Sequence, residues 1–171
     1  MTDISKTDEL FFANTELDQV ELENIVNKAL HKSDDGELFL EYRQSEGIVF
    51  DDGKVKTAAF DTSQGFGLRL ISGESAAYSH SSELSKTAIN RASKTVKTIN
   101  KNANKLIANP HSTNQNLYTD QNPLETLSFQ NKVSLLESID AYARSKDERV
   151  QQVSVSISGE WQAIQIIRIG N

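Results

Sequence analysis

The residue types that carry most protein chemistry are sparse in this 171-residue sequence, and their spacing is the first constraint. Three histidines, His31, His80 and His111, lie far apart in the chain. None falls in a His-x-x-x-His or His-Glu-x-x-His frame, which would put two imidazoles on one helical face for a metal. Cysteine is absent, so thiolate nucleophiles, disulfides and every Cys-containing zinc or iron–sulfur site are excluded. Asp34-Asp35 and Asp51-Asp52 offer paired carboxylates, but each pair abuts a glycine, and turn formation accounts for both. Gly65-Phe66-Gly67 lacks the third glycine and the following helix of a phosphate-binding turn, because a strand pattern follows it. No Gly-x-Ser-x-Gly elbow surrounds any serine. The residues taken singly therefore give no catalytic residue, no metal ligand and no cofactor-binding residue.

Charge narrows the partners. The formal net charge is −6, and the basic excess that nonspecific binding to nucleic acid or an anionic membrane requires is missing. Seven acids and Lys6 within residues 1–23 carry that whole excess, leaving the rest neutral overall. Lys86, Lys94, Lys97, Lys101 and Lys105 share one helical pattern but have no interleaved aromatics for base stacking, so they read as a solvated face. The N-terminus is acidic where an export signal is basic. No apolar run approaches the roughly 20 residues of a spanning helix. Neither nucleic acid nor membrane is expected as a partner, and a cysteine-free chain without an export signal fits the cytoplasm.

The elements that would position any site follow from periodicity. Leu, Ile, Val and Phe supply 44 of the 171 residues, enough for a core. Asp18 with Glu21 predicts a capped helix over 19–32. Residues 37–80 hold short strand-like pieces, with Asp51-Asp52-Gly53-Lys54 and Ser72-Gly73-Glu74 as tight turns, and predict a four-stranded antiparallel meander. Apolar residues stepping by three and four from Ile89 to Leu106 predict a helix over 84–106, and a Ser128 cap opens another over 129–145. Period two at Val153, Val155 and Ile157, then Ser158-Gly159, then Trp161 to Ile169, predicts a terminal hairpin. The fold class expected is α+β: an antiparallel β-meander backed by two long helices, with a C-terminal β-hairpin, in a single domain over 1–171. Residues 1–16 are left as disordered or a short helix, and 107–127 as a surface loop. Phe39, Ile48, Phe60, Leu68, Ile89, Val96, Ile99, Leu136 and Ile139 are expected in the core. Trp161, Ile164, Ile166 and Ile167 make the last strand apolar on nearly both faces, and so form the candidate edge for a partner strand, a peptide or a second copy of the chain.

The stretch Asp61 to Glu74, with Ala77-Tyr78-Ser79 after it, resembles the TldD/PmbA family of zinc metallopeptidases, also known as modulators of DNA gyrase. Leu38-Phe39, Leu117-Tyr118, Asp120 to Leu124, Lys132 through Arg144, Arg149-Val150 and Ser156-x-Ser158-Gly159 resemble the same family in the same order. The similarity runs from about Leu17 onward and corresponds to the N-terminal domain of TldD-type members, with the TldE (PmbA) type as runner-up. It implies an intracellular protease of two homologous subunits acting on unfolded or short peptides. In that family a His-Glu-x-x-x-His helix and a later Cys hold the zinc, and this sequence has neither. The resemblance thus implies a non-catalytic part supplying scaffold and subunit contacts, with zinc and the catalytic domain elsewhere in the complete family member. A TldE/PmbA-like subunit, or the absent catalytic part, is the implied partner. From another class stands the alternative of a free-standing module that binds a protein or peptide along an exposed sheet edge.

Overall fold

A computed structural model describes residues 4–13, 15–99 and 121–168 of the chain. The elements are α1 (Ile4–Asp8), a π-helical turn at Glu9–Ala13, α2 (Gln19–Leu30), β1 (Asp35–Asp51), β2 (Lys54–Ser72), β3 (Ser75–Ser81), α3 (Lys86–Val96), α4 (Phe129–Arg144) and β4 (Ser154–Arg168). The four strands form one sheet in the order β3-β2-β1-β4. Asp52–Val153, Arg43–Glu160 and Glu37–Arg168 pair residues whose numbers rise on one strand and fall on the other, so β4 runs antiparallel to β1. The α+β class holds.

By packing, the chain divides into two compact units. The first comprises Met1–Tyr42, Ser63–Asp120 and Ala163–Asn171, and the second Arg43–Thr62 and Gln121–Gln162.

In the first unit, alternation puts Leu38 and Leu40 of β1 and Phe66, Leu68 and Leu70 of β2 on one face, all buried. Against them pack Leu22, Val26, Ala29 and Leu30 of α2 and Ala88, Ile89, Ala92 and Val96 of α3, while Phe11 closes the same cluster. Each fully buried Leu or Val here contributes about 1.5–3 kcal/mol. The Asp18 carboxylate accepts from Glu21 N at 2.8 Å and the Ser85 hydroxyl from Ala88 N at 3.1 Å, satisfying backbone donors at the starts of α2 and α3. Lys86, Lys94 and Lys97 are exposed, as the amphipathic pattern requires.

The second unit has a smaller core. Ile48 and Phe50 of β1 meet Leu136 of α4, with Val155 and Ile157 of β4 beside them. Ser128 caps α4 by accepting from Asn131 N at 3.2 Å. Lys132 Nζ, almost wholly buried, donates to Glu46 Oε1 at 2.6 Å and to Leu124 O at 2.7 Å. Arg144 reaches Asp140 on its own helix and Asp52 in the β1–β2 turn. That turn carries positive φ at both Asp52 (50°) and Gly53 (80°), the tight type its Asp-Gly sequence predicts.

Several expectations are corrected. The meander has three strands, because β1 and β2 each run unbroken through polar stretches that read as gaps between shorter pieces. The terminal hairpin is a single strand, β4, and Ser158-Gly159 lies inside it. Gly159 answers to a close approach: a Cβ there would lie 2.6 Å from Leu124 Cδ2. Phe39 is displaced from the core by Leu38 and Leu40, which occupy the inward parity of β1. Phe60 is 59% exposed, on a stretch of β2 from 54 to 64 that is exposed on both faces, and Ile139 is 40% exposed beside the buried stripe of α4. The 84–106 helix is described as α3 and a 3-10 turn over Lys97–Ile99, with 100–106 and the Ile99 side chain outside the described residues. Of the 107–127 segment, residues through 120 lie outside them too. The remainder makes a 3-10 turn at Pro123–Glu125 with Asn122 and Leu124 buried. Within 1–16, of the two conformations expected, residues 4–13 adopt the helical one, with Phe11 buried.

Candidate functional site

Among the described residues β4 is an edge of the sheet, since its one neighbour in the strand order is β1. Strict alternation distributes the four sequence-predicted residues over its two faces. Trp161 and Ile167 are half-buried, and Ile167 packs against the core of the first unit. Ile164 and Ile166 point the other way and are 42% and 52% exposed. Both sides of the strand thus carry apolar side chains, and Ile164 and Ile166 are the large ones most exposed on it. Arg168, next on that face, donates to Glu37 at 3.0 Å, and Arg69 from β2 reaches Glu37 at 3.0 Å and Asp35 at 3.7 Å. Two cations and two carboxylates thus neutralise one another beside the isoleucines. An edge strand whose apolar side chains adjoin a neutral charge group suits association with another strand.

A second concave feature lies on the outward face of the sheet in the first unit. It is a trough of about 250 Å³ lined by Phe39 and Glu41 of β1, Gly65 and Gly67 of β2, and Tyr78 and His80 of β3 among others. Register places Gly67 opposite His80 and Arg69 opposite Tyr78. The Tyr78 ring leans over Gly67, where a Cβ would fall 2.5 Å from the phenol oxygen, and it stacks on the His80 ring at 5.6 Å between centroids. Gly65 and Gly67 each answer to a close approach, a Cβ falling 2.7 Å from Ser81 O at the first and 2.5 Å from the Tyr78 phenol oxygen at the second, which follows from chain pairing that no local pattern states.

The ionisations displaced from ordinary values lie in the second unit. Hydrogen bonds from Lys56 and Gln152 hold the Asp51 carboxyl below the usual aspartate range, and Arg149 does the same for Asp147. Asp140 and Asp52 push the Arg144 guanidinium further toward its charged form, and Asp147 does so for Arg149.

Two family models match this chain. One, described as PmbA/TldA metallopeptidase domain 1, covers residues 36–102, and another, described as the PmbA/TldA metallopeptidase central domain, covers 122–168. The chain belongs to the PmbA/TldD metallopeptidase family. It is 29% identical over 149 residues to a protein called metalloprotease TldD homolog from Haemophilus influenzae, a match covering 84% of this chain and 31% of that protein. A protein of the same description from Buchnera aphidicola of Acyrthosiphon pisum is 29% identical over 163 residues, covering 92% and 33%. The chain therefore spans about a third of the length of the curated PmbA/TldD relatives it matches. Its fold is shared with TldE from Thermococcus kodakarensis, at a TM-score of 0.61 and 14% identity over 86% of this chain and 34% of that one. It is also shared with a protein described as a modulator of DNA gyrase from Bacteroides thetaiotaomicron, at 0.60 and 15% over 87% and 36%.

A metallopeptidase family raises the question of a metal. Among the described residues no three His, Cys, Asp or Glu side chains converge on one point. His31 caps the end of α2, His80 stacks on Tyr78, and His111 lies outside the described residues. The described residues do not fit a catalytic zinc, and no chemical step is derived through one. Among them, too, no helix is long and apolar enough to cross a membrane.

Proposed function

We propose that this chain is the non-catalytic part of a TldD-like metallopeptidase of the cytoplasm, supplying scaffold and subunit contacts to an enzyme that cuts unfolded or short peptides. The observation that carries the reading is the pair of consecutive family-model matches, domain 1 and central domain, on a chain about a third as long as its curated relatives. Zinc and the residues that activate water belong, on this reading, to the remainder of the family chain. The β4 edge, with Ile164 and Ile166 exposed, is the surface offered to a TldE-like subunit, to the catalytic part or to a second copy. The existence of a solved TldE with this fold supports a homologous partner.

The alternative, a free-standing module that adds a peptide to its edge, draws on the same strand. The two readings separate on co-purification. Mixed with a TldE-like subunit, the chain is expected to co-elute with it, and alone it is expected to cleave no unfolded peptide, with or without added zinc. Chelator-sensitive cleavage by rigorously pure chain overturns the non-catalytic assignment. Peptide capture without any subunit association favours the free-standing module.

A further inference from the structure

The side of β2 turned away from β1 is paired along only part of its length. β3 pairs with β2 from Phe66 to Ser72, and residues 54–64 before that are exposed on both faces. Within the second unit, residues 54–62 thus have β1 as their one strand neighbour among the described residues. The turn sets the backbone there. Asp51 and Lys54 flank a two-residue loop with positive φ at both positions, so they face each other as a hydrogen-bonded pair, and alternate residues Lys56, Ala58 and Phe60 turn their N–H and C=O groups toward β1. Val55, Thr57, Ala59 and Asp61 direct theirs to the open side, a template for another strand. From Thr57 to Thr62 neither lysine nor proline blunts it.

The side chains indicate what kind of strand fits. Lys56 is held by Asp51 at 3.0 Å, whereas Lys54 and Asp61 have no ion pair or hydrogen bond among the described residues. These two charges stand near opposite ends of the open stretch and, being an odd number of positions apart, on opposite faces. A second copy paired edge to edge about a two-fold axis sets residues of like parity opposite each other, so no register brings Lys54 or Lys56 of one copy against Asp61 of the other. A folded partner docking on the faces would find only Val55, 38% exposed, and Phe60, 59% exposed, as large apolar contacts. An extended peptide needs neither, because its main chain supplies the bonds and its alternate side chains meet Asp61, Phe60 and Lys54 in turn.

We propose that residues 54–62 of β2 take up an extended peptide segment of another polypeptide as an antiparallel strand, with a basic side chain opposite Asp61, an apolar one opposite Phe60 and an acidic one opposite Lys54. This edge is distinct from β4, and the proposal survives or fails without the scaffold assignment. The test is an amide-shift NMR titration of the full chain with the peptide acetyl-Thr-Lys-Ile-Thr-Val-Thr-Ser-Ile-Glu-amide, whose Lys, first Ile and Glu fall opposite Asp61, Phe60 and Lys54. Its control is the charge-swapped peptide, with Glu in place of Lys and Lys in place of Glu. Saturable shifts at Val55, Thr57, Ala59 and Asp61 are expected, with a Kd on the order of 1 mM. The charge-swapped peptide should bind about fivefold more weakly, since both cross-strand pairs become like-charged. In the double variant Lys54→Glu with Asp61→Lys, both sites being exposed, that preference should reverse. Ala59→Pro, which removes an open-side N–H where an edge strand tolerates proline, should abolish binding of both peptides. Absence of saturable shifts at these amides, shifts confined to β4, equal binding of the two peptides, or no reversal in the double variant overturns the proposal. So does concentration dependence of the same amides in the chain alone, which would give this edge to a second copy. If Ala59→Pro fails to fold, the double variant decides alone.

Discussion

The two units solve the same problem by different means. Among the described residues the first buries a cluster of fifteen apolar residues, thirteen of them from two helices and two strands, with Phe11 and Leu17 from the N-terminal segment. The second has a cluster of three and adds charged side chains to it, with Lys132 on Glu46 and Arg144 spanning Asp140 and Asp52. An apolar core tolerates local charge changes because its free energy scales with area removed from water. A small core fastened by a buried pair such as Lys132 and Glu46 depends on each partner being present, since a lone buried charge is far costlier than the pair. The second unit should therefore fail at single charged residues, and the first should not.

The sharpest way to break this contrast is Lys132→Ala. It strands the Glu46 carboxylate and the Leu124 carbonyl, and should cost about 3–5 kcal/mol. Hydrogen exchange should show α4 and its strands losing protection first. The double variant Lys132→Met, Glu46→Leu should recover most of the loss, and failure to recover would assign the effect to packing instead. In the first unit Leu68→Ala should cost about 3 kcal/mol through a cavity, read by denaturant unfolding, with no charge partner able to rescue it.

Acid sharpens the comparison further. Asp51 and Asp147 have folded-state pKa values below the ordinary aspartate value of 3.8, so the stability they contribute is present above 3.8 and is lost as pH falls below it through their lowered folded-state values. Both belong to the second unit. Exchange protection there should fall ahead of the first unit once pH drops below about 4, and equal loss in both would contradict the assignment. The smallest effect is expected from Glu160→Gln, which removes the half-exposed Arg43–Glu160 pair and should change stability by less than about 1 kcal/mol in the same unfolding assay.

What the sequence disclosed follows the same division between local and distant causes. Asp18 and Ser128 act as caps within three residues of their partners, and Asp52-Gly53 dictates its own turn, so these were legible. Ser158-Gly159 has the composition of a turn, but its glycine is required by Leu124, thirty-five positions earlier, and strand continuity was hidden. The Lys132–Glu46 pair spans 86 positions, and a lysine at a core position of α4 carries no local mark of its partner. Phe39 was misplaced because three consecutive apolar residues, Leu38 to Leu40, leave the strand parity undetermined. The candidate edge residues Trp161, Ile164, Ile166 and Ile167 stand out in the sequence as one apolar run. Their division between two faces needed the alternation of a continuous β4.

The central claim, that this chain is built to associate through β4, is tested most directly by sedimentation velocity at tens of micromolar, on the order of concentrations at which exposed apolar edges self-associate. The account predicts that the wild-type chain sediments above its 19.0 kDa monomer mass. Ile164→Lys with Ile166→Lys should return it to monomer while α3 and β3 keep their exchange protection. A wild-type chain that sediments as a clean monomer, or a double variant that associates as before, would contradict it.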